Sequence, residues 1–207
     1  WKIKKPVHCG FVDFRQLEQR RHFCAEELRL NRRFAPSIYL DVVAIGGTPQ
    51  APRLGDGGAP IEYALRMRRF PPRALLSERL ADGTLLPAQL DALAQRIAAL
   101  HAQAEVAAST SPWGRPDDVA GAVRAVLERL RGQGVEVGDL MQWLAVQAPL
   151  LAPLWQQRLD GGWVRECHGD LHLGNAVVLD GGVTAFDCIE FDPALRWIDV
   201  QSDVAFL

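Results

Sequence analysis

Eight residues in the last fifth of the chain, His168-Gly169-Asp170-Leu171-His172-Leu173-Gly174-Asn175, hold an unusual density of side chains able to do chemistry. Asn175 stands five residues after Asp170, and Asp187 follows twelve residues later within Ala185-Phe186-Asp187-Cys188. A carboxylate in such a loop can orient a hydroxyl and accept its proton. An amide oxygen and a second carboxylate are the hard donors that Mg²⁺ prefers. Phosphoryl transfer asks for that combination, because its catalysis is largely positioning plus neutralisation of phosphate charge. A rival use of His168, Asp170 and His172 is ligation of a transition metal. That reading gives Asn175 and Asp187 nothing to do.

The elements that must position these residues can be read from periodicity. Trp163 to Cys167 reads as a strand leading into the loop. Ala176 to Leu179 and Val183 to Phe186 read as a hairpin turning at Asp180-Gly181-Gly182, which delivers Asp187 back toward Asn175. Upstream, Trp1 to Lys5 alternates apolar and cationic residues as a half-buried strand does. Asp13 is placed as the N-cap of a helix running to about Phe34, with Gln16 completing a capping box. Ile38 to Ile45 and Ile61 to Arg69 read as antiparallel strands joined by a Gly/Pro-rich loop over 46–60. Gly55, Gly57 and Gly58 are assigned to a flexible hairpin tip. They precede a strand and lack the Lys-Ser/Thr of a phosphate-binding P-loop. After Phe70-Pro71-Pro72 the character changes. Leu90, Leu93, Ile97 and Leu100 mark an amphipathic helix over Pro87 to Gln103. A second helix is capped near Asp117 and stopped by Gly132. A third, from about Asp139 to Arg158, is expected to kink or split at Pro149 and Pro153.

The chain has 207 residues, 48% hydrophobic and 23% charged, with a formal net charge of -2. These values suit a soluble globular protein and give no basic field for nucleic acid or an anionic membrane surface. No apolar run approaches the ~20 residues of a membrane helix. Cys9, Cys24, Cys167 and Cys188 show no metal-ligand spacing and read as reduced thiols of a cytoplasmic protein. Arginines at 15, 20, 21, 29, 32 and 33, and again at 66, 68, 69 and 73, are read as a solvated face.

The segment His168 to Asn175 resembles the catalytic loop of the aminoglycoside phosphotransferases and their choline-kinase-like relatives. It also has the H-R-D-x-x-x-x-N spacing of protein kinases. The resemblance implies an α+β, protein-kinase-like fold of two lobes: a small antiparallel-sheet N-lobe over 1–70 and a larger, mainly helical C-lobe over 71–207. It implies that ATP and Mg²⁺ are the cofactors and a small-molecule hydroxyl is the acceptor. Asp170 would be the catalytic base, braced by His168, with Asn175 and Asp187 as Mg²⁺ ligands. His172 would lie on the acceptor side. A strand lysine, Lys2 with Lys4 in reserve, would hold the phosphates, paired with Glu27 on the following helix rather than Glu18 or Glu26. Backbone groups from Met67 through Arg68 to Arg69 would meet adenine, with Met67 or Phe70 packing on it. Asp203, with Asp199, would brace the catalytic loop.

Cys188 stands where protein kinases have glycine, which favours the small-molecule branch. Acidic residues at 117, 118, 128, 136 and 139 are balanced by arginines at 115, 124, 129 and 131, so a polycationic acceptor finds no support. Glu27-Leu28-Arg29-Leu30-Asn31 looks most like an uncharacterised bacterial branch, often fused to a P-loop ATPase domain that here would lie beyond Leu207. The nucleotide-covering loop would precede Trp1. The second functional expectation is a nucleotide-binding regulatory module without turnover.

Overall fold

The β-branched residues Val42, Val43, Ile45 and Thr48 favour an extended backbone over Tyr39–Thr48, the longest strand of the described residues, and the first half of the fold assembles on it. The computed structural model describes residues 1–207 apart from Phe11, Asp56 and the side chain of Cys9. In chain order the elements are β1 (Lys2–Ile3), β2 (His8–Cys9), β3 (Val12–Asp13), α1 (Leu17–Phe34), β4 (Tyr39–Thr48), β5 (Ala51–Leu54), β6 (Glu62–Met67), α2 (Leu76–Ala81), α3 (Pro87–Gln103), α4 (Pro116–Gly132), α5 (Gly138–Asp160), β7 (Val164–Glu166), β8 (Ala176–Leu179), β9 (Gly182–Ala185), β10 (Trp197–Asp199) and α6 (Val200–Val204). This is an α+β chain.

Two packing units divide it. The first comprises Trp1–Gln103, His168–Arg196 and Phe206–Leu207; the second comprises Ala104–Cys167 and Trp197–Ala205. The boundary expected at residue 70 follows the change from sheet to helix. The packing units follow contacts instead, and place the loop and hairpin after residue 168 with the first hundred residues.

In the first unit a four-stranded antiparallel sheet has the order β1-β6-β4-β5. Lys2 lies opposite Leu65 and Ile3 opposite Ala64, so β1 is an edge strand. One core joins Leu30 and Phe34 of α1, Tyr39 and Leu65 of the sheet, Leu76 of α2, Leu93 and Ile97 of α3, Leu171, and Ala176, Val177 and Ala185 of the β8-β9 hairpin. Leu93 and Ile97 belong to the stripe expected for α3, and the helix has the expected limits. The Thr184 hydroxyl donates to the Phe34 carbonyl at 2.6 Å, tying the hairpin to the end of α1.

Local departures from expectation have physical causes. Asp13 does not cap α1. It lies in β3, where its carboxylate accepts from the Arg15 backbone N–H at 3.1 Å and from the Arg15 guanidinium, and the helix starts at Leu17. The Gly/Pro-rich loop contains β5, paired with an extended β4 from Ile45↔Leu54 to Thr48↔Ala51. Backbone pairing there needs little side-chain pattern. It does need Gly47, whose φ is +80° and whose added Cβ would meet the Ala51 oxygen at 2.4 Å. The hairpin tip is therefore Pro49-Gln50, and Gly55 lies past β5, donating to the Ala44 carbonyl at 2.9 Å. Arg20 leaves the solvated face altogether. It is buried, with Nε 2.8–2.9 Å from both Glu62 oxygens and Nη1 on the Phe14 and Arg15 carbonyls. The short α2, unforeseen beside the prolines, is held by buried Leu76.

In the second unit α4 packs on α5, around Leu127, Val137 and Leu144. β7 and β10 pair antiparallel, and Val164 packs with Ala107 and Leu159. α5 runs unbroken through Pro149 and Pro153. Both prolines are exposed. Each removes one backbone hydrogen bond and crowds the carbonyl four residues earlier. We expect Pro149→Ala and Pro153→Ala each to raise stability by ~1–2 kcal/mol, because the lost chain restriction offsets only part of the gain. Thermal unfolding would read this as a rise of a few degrees; an unchanged midpoint would contradict it. Among the described residues, no helix is long and apolar enough to cross a membrane.

Candidate active site

All the residues singled out for catalysis and metal binding lie in the first unit, on the loop after residue 167 and the ends of the β8-β9 hairpin. The loop is fixed from beneath by Leu171, fully buried in the core. Gly169 makes its sharp turn at φ +85°, where an added Cβ would stand 2.6 Å from the Leu195 carbonyl oxygen. The His172 ring accepts from Gly174 N–H at 3.0 Å and so caps the short 3₁₀ turn Leu173–Asn175.

Within this frame Asp170 and Asn175 touch. The Asn175 amide nitrogen donates to the Asp170 carboxylate at 3.1 Å and to the Asp170 carbonyl at 3.0 Å. Both bonds use the nitrogen, which leaves the Asn175 carbonyl oxygen as its donor to a cation. Asp170 is half-exposed, and His172 Nε2 lies 3.6 Å from its Oδ2, also toward solvent.

His168 is fully buried. Its Nδ1 accepts from Asp170 N–H at 3.3 Å, so its Nε2 carries the proton and donates to the Phe186 carbonyl at 2.9 Å. Its own carbonyl accepts from Ile189 N–H at 3.1 Å. His168 thus clamps the loop to both sides of Asp187. With both ring nitrogens engaged and no access to solvent, it is not a metal ligand. The transition-metal reading of His168, Asp170 and His172 fails on that geometry.

Asp187 sits at φ +64°, a left-handed conformation that Asp tolerates better than most residues. Two buried side chains hold its backbone. Asp187 N–H donates to the Tyr39 hydroxyl at 3.0 Å, and Cys188 N–H donates to Asn31 Oδ1 at 2.9 Å. Burial, with the nearby Asp187 and Glu27 charges, raises the Tyr39 pKa and keeps the hydroxyl protonated. Sequence reasoning passed over Asn31 and Tyr39. The available signal was Asn31 at the i+4 position from Glu27 on the inward stripe of α1, beside Cys24 and Phe34. A polar pair on a face otherwise apolar is the informative kind of exception.

Glu27 is fully buried, whereas Glu18 is exposed and Glu26 pairs with Arg29 on the same helix. Both candidate lysines reach Glu27, one on each oxygen: Lys2 at 2.7 Å and Lys4 at 2.5 Å. They differ in what else they touch. Lys2 is part-exposed and reaches Asp187 Oδ1 at 2.6 Å; Lys4 is buried and also pairs with Glu190. Burial works against the charge on Lys2, but the Glu27 and Asp187 carboxylates outweigh it and hold the ammonium pKa above its ordinary value. Asp187, with carboxylate oxygens, and Asn175, with an amide oxygen, form a donor set that fits Mg²⁺.

The remaining expected positions fall as follows. Met67 ends β6 and packs partly buried against the core. The Arg68 N–H donates to the Ile38 carbonyl at 2.8 Å, and its guanidinium grips Asp180 at 2.6 and 2.8 Å. Phe70 packs on Phe186, ring centres 5.3 Å apart. Asp199 pairs with Arg158 and caps α6, accepting from the Gln201 N–H at 2.8 Å. Asp203 is buried in α6. Cys24, Cys167 and Cys188 are buried thiols, and burial pushes the Cys24 pKa up to about 11.

The chain is 29% identical over 213 aligned positions to uncharacterized protein Rv2004c and uncharacterized protein MT2060 of Mycobacterium tuberculosis, and to uncharacterized protein Mb2027c of Mycobacterium bovis. The alignments cover 100% of this chain but 41% of each of those proteins. No solved structure matches at a significant level. The profile of the phosphotransferase enzyme family (APH) matches residues 13–202, a span that holds Glu27, the catalytic loop and Asp187, and on that match the chain belongs to this family, with its protein-kinase-like α+β fold.

Proposed function

We propose that the protein transfers the γ-phosphoryl group of ATP, with Mg²⁺, to a hydroxyl of a small molecule. The observation that carries this reading is the position of the Lys2 ammonium, 2.7 Å from Glu27 and 2.6 Å from Asp187. A strand lysine oriented by a helix glutamate beside a metal-binding aspartate is the device that kinases use to hold phosphates.

In this reading Asp170 orients the acceptor hydroxyl and takes its proton at a carboxylate oxygen, held in place by the Asn175 amide. Asn175 and Asp187 would hold Mg²⁺, which supplies neutralisation of the phosphate charge. Lys2 serves the phosphates, and His168 keeps the base and the metal aspartate in register. Adenine would lie near Met67 to Arg69. The Arg68 N–H is already engaged by the Ile38 carbonyl, so other backbone groups of this stretch would meet adenine. The cytoplasm is the proposed location, and a P-loop ATPase domain in the same protein is a proposed partner.

The test is transfer from γ-labelled ATP to a panel of alcohols and amino alcohols by the full-length protein. Transfer should require Mg²⁺ and stop when EDTA removes it. Failure to bind MgATP would end the proposal. Binding without transfer that depends on Asp170 would assign the chain to a regulatory nucleotide-binding module.

A further inference from the structure

Lys4 is a buried cation, and the phosphotransferase reading gives it no task. Its ammonium lies between Glu27 Oε2, at 2.5 Å, and Glu190 Oε1. Glu27 presents its other oxygen to Lys2, and Lys2 continues to Asp187. Asp187 and Glu190 are three residues apart on one loop. The contacts therefore run Asp187, Lys2, Glu27, Lys4, Glu190, and the backbone closes the ring.

Between its two ends the loop is held by Cys188 N–H on Asn31 and Ile189 N–H on His168. Burial raises the Glu190 pKa, with the Lys4 charge opposing it. A buried carboxylate and a buried ammonium are each costly alone, and each supplies the other's counter-charge.

The ring holds three carboxylates for two lysines. Without Lys4, both oxygens of Glu27 and the freed Glu190 would compete for Lys2, and Glu190 would lose its side-chain tether while its carbonyl keeps the Arg196 guanidinium at 3.3 Å. We propose that Lys4 and Glu190 are a positioning pair. They hold Glu27 with one oxygen turned to Lys2, and so set the span between the phosphate lysine and Asp187. This rests on the phosphotransferase reading and adds two residues to it.

A purely structural ion pair would lower the melting temperature when cut and leave nucleotide affinity unchanged in the molecules that remain folded. The experiment is a calorimetric titration of the full-length protein with MgATP, on samples whose fold is verified by circular dichroism. Glu190→Gln keeps the shape and should weaken MgATP about tenfold, within the range of couplings between contacting groups. Lys4→Arg keeps the charge and should stay within about threefold of the parent. In a Lys2→Met background Glu190→Gln should have little further effect, because the pair acts through Lys2. Affinity of Glu190→Gln within twofold of the parent overturns the inference alone, as does an equal loss in the Lys2→Met background. A parent protein that does not bind MgATP overturns the phosphotransferase reading and the inference with it.

Discussion

Asp170→Asn should reduce phosphoryl transfer by about 10²–10⁴-fold, the usual contribution of a positioned general base, while MgATP affinity changes little. The substitution keeps the side-chain shape, and the amide oxygen can still accept the Asn175 bond seen at 3.1 Å. What it removes is the capacity to take a proton. At ~1.4 kcal/mol per factor of ten, the loss corresponds to roughly 3–6 kcal/mol of transition-state stabilisation. The measurement is a single-turnover transfer rate at saturating MgATP, with affinity titrated separately. A variant within tenfold of the parent would remove Asp170 from the role of base. Asn175→Ala offers the contrast, since it should raise the Mg²⁺ requirement as well as slow transfer.

The second large effect concerns Gly169. Its φ of +85° disfavours any side chain, and a Cβ would press 2.6 Å from the Leu195 carbonyl oxygen, a backbone atom that cannot rotate away. Gly169→Ala should cost ~2–4 kcal/mol from conformational strain plus the clash. For a chain of this size each kcal/mol lowers the melting temperature by roughly 2–4 °C, so a fall on the order of 5–15 °C is expected. Two companions separate the causes. Gly134→Ala has similar dihedral strain, φ +83°, with nothing within 4 Å, and should cost only ~1 kcal/mol. Gly174→Ala presses on the His172 ring at 2.8–2.9 Å, a part-exposed side chain that can turn aside by giving up its bond from the Gly174 N–H. A Gly169→Ala midpoint no lower than that of Gly134→Ala would mean that the loop yields.

Much of this arrangement was legible in the sequence, for identifiable reasons. The α3 stripe and the β8-β9 hairpin are local patterns, and local patterns survive folding. The loop from His168 to Asn175 stands out in the sequence because phosphoryl transfer would need those residue types within a few positions. Elements stabilised by backbone pairing or a single buried side chain were not: β5 hides among glycines and prolines, and α2 rests on Leu76. α5 tolerates two prolines that its sequence pattern argued against. The choice between Lys2 and Lys4 was also beyond the sequence. It turns on contacts to Asp187 and Glu190 that lie 185 and 186 residues away. Asn31 was passed over for the same reason, since its partner Cys188 is 157 residues distant.

The core beneath the catalytic loop takes its buried residues from positions 30–97 and 171–188, and none from 104–167. The intervening stretch closes two small cores of its own, around Leu127 and around Val164. Substitutions at separate sites with no shared partner combine almost additively. A change of side chain in the α4–α5 core, around Leu127, Val137 and Leu144, therefore removes no member of the core that holds Leu171 and Ala185.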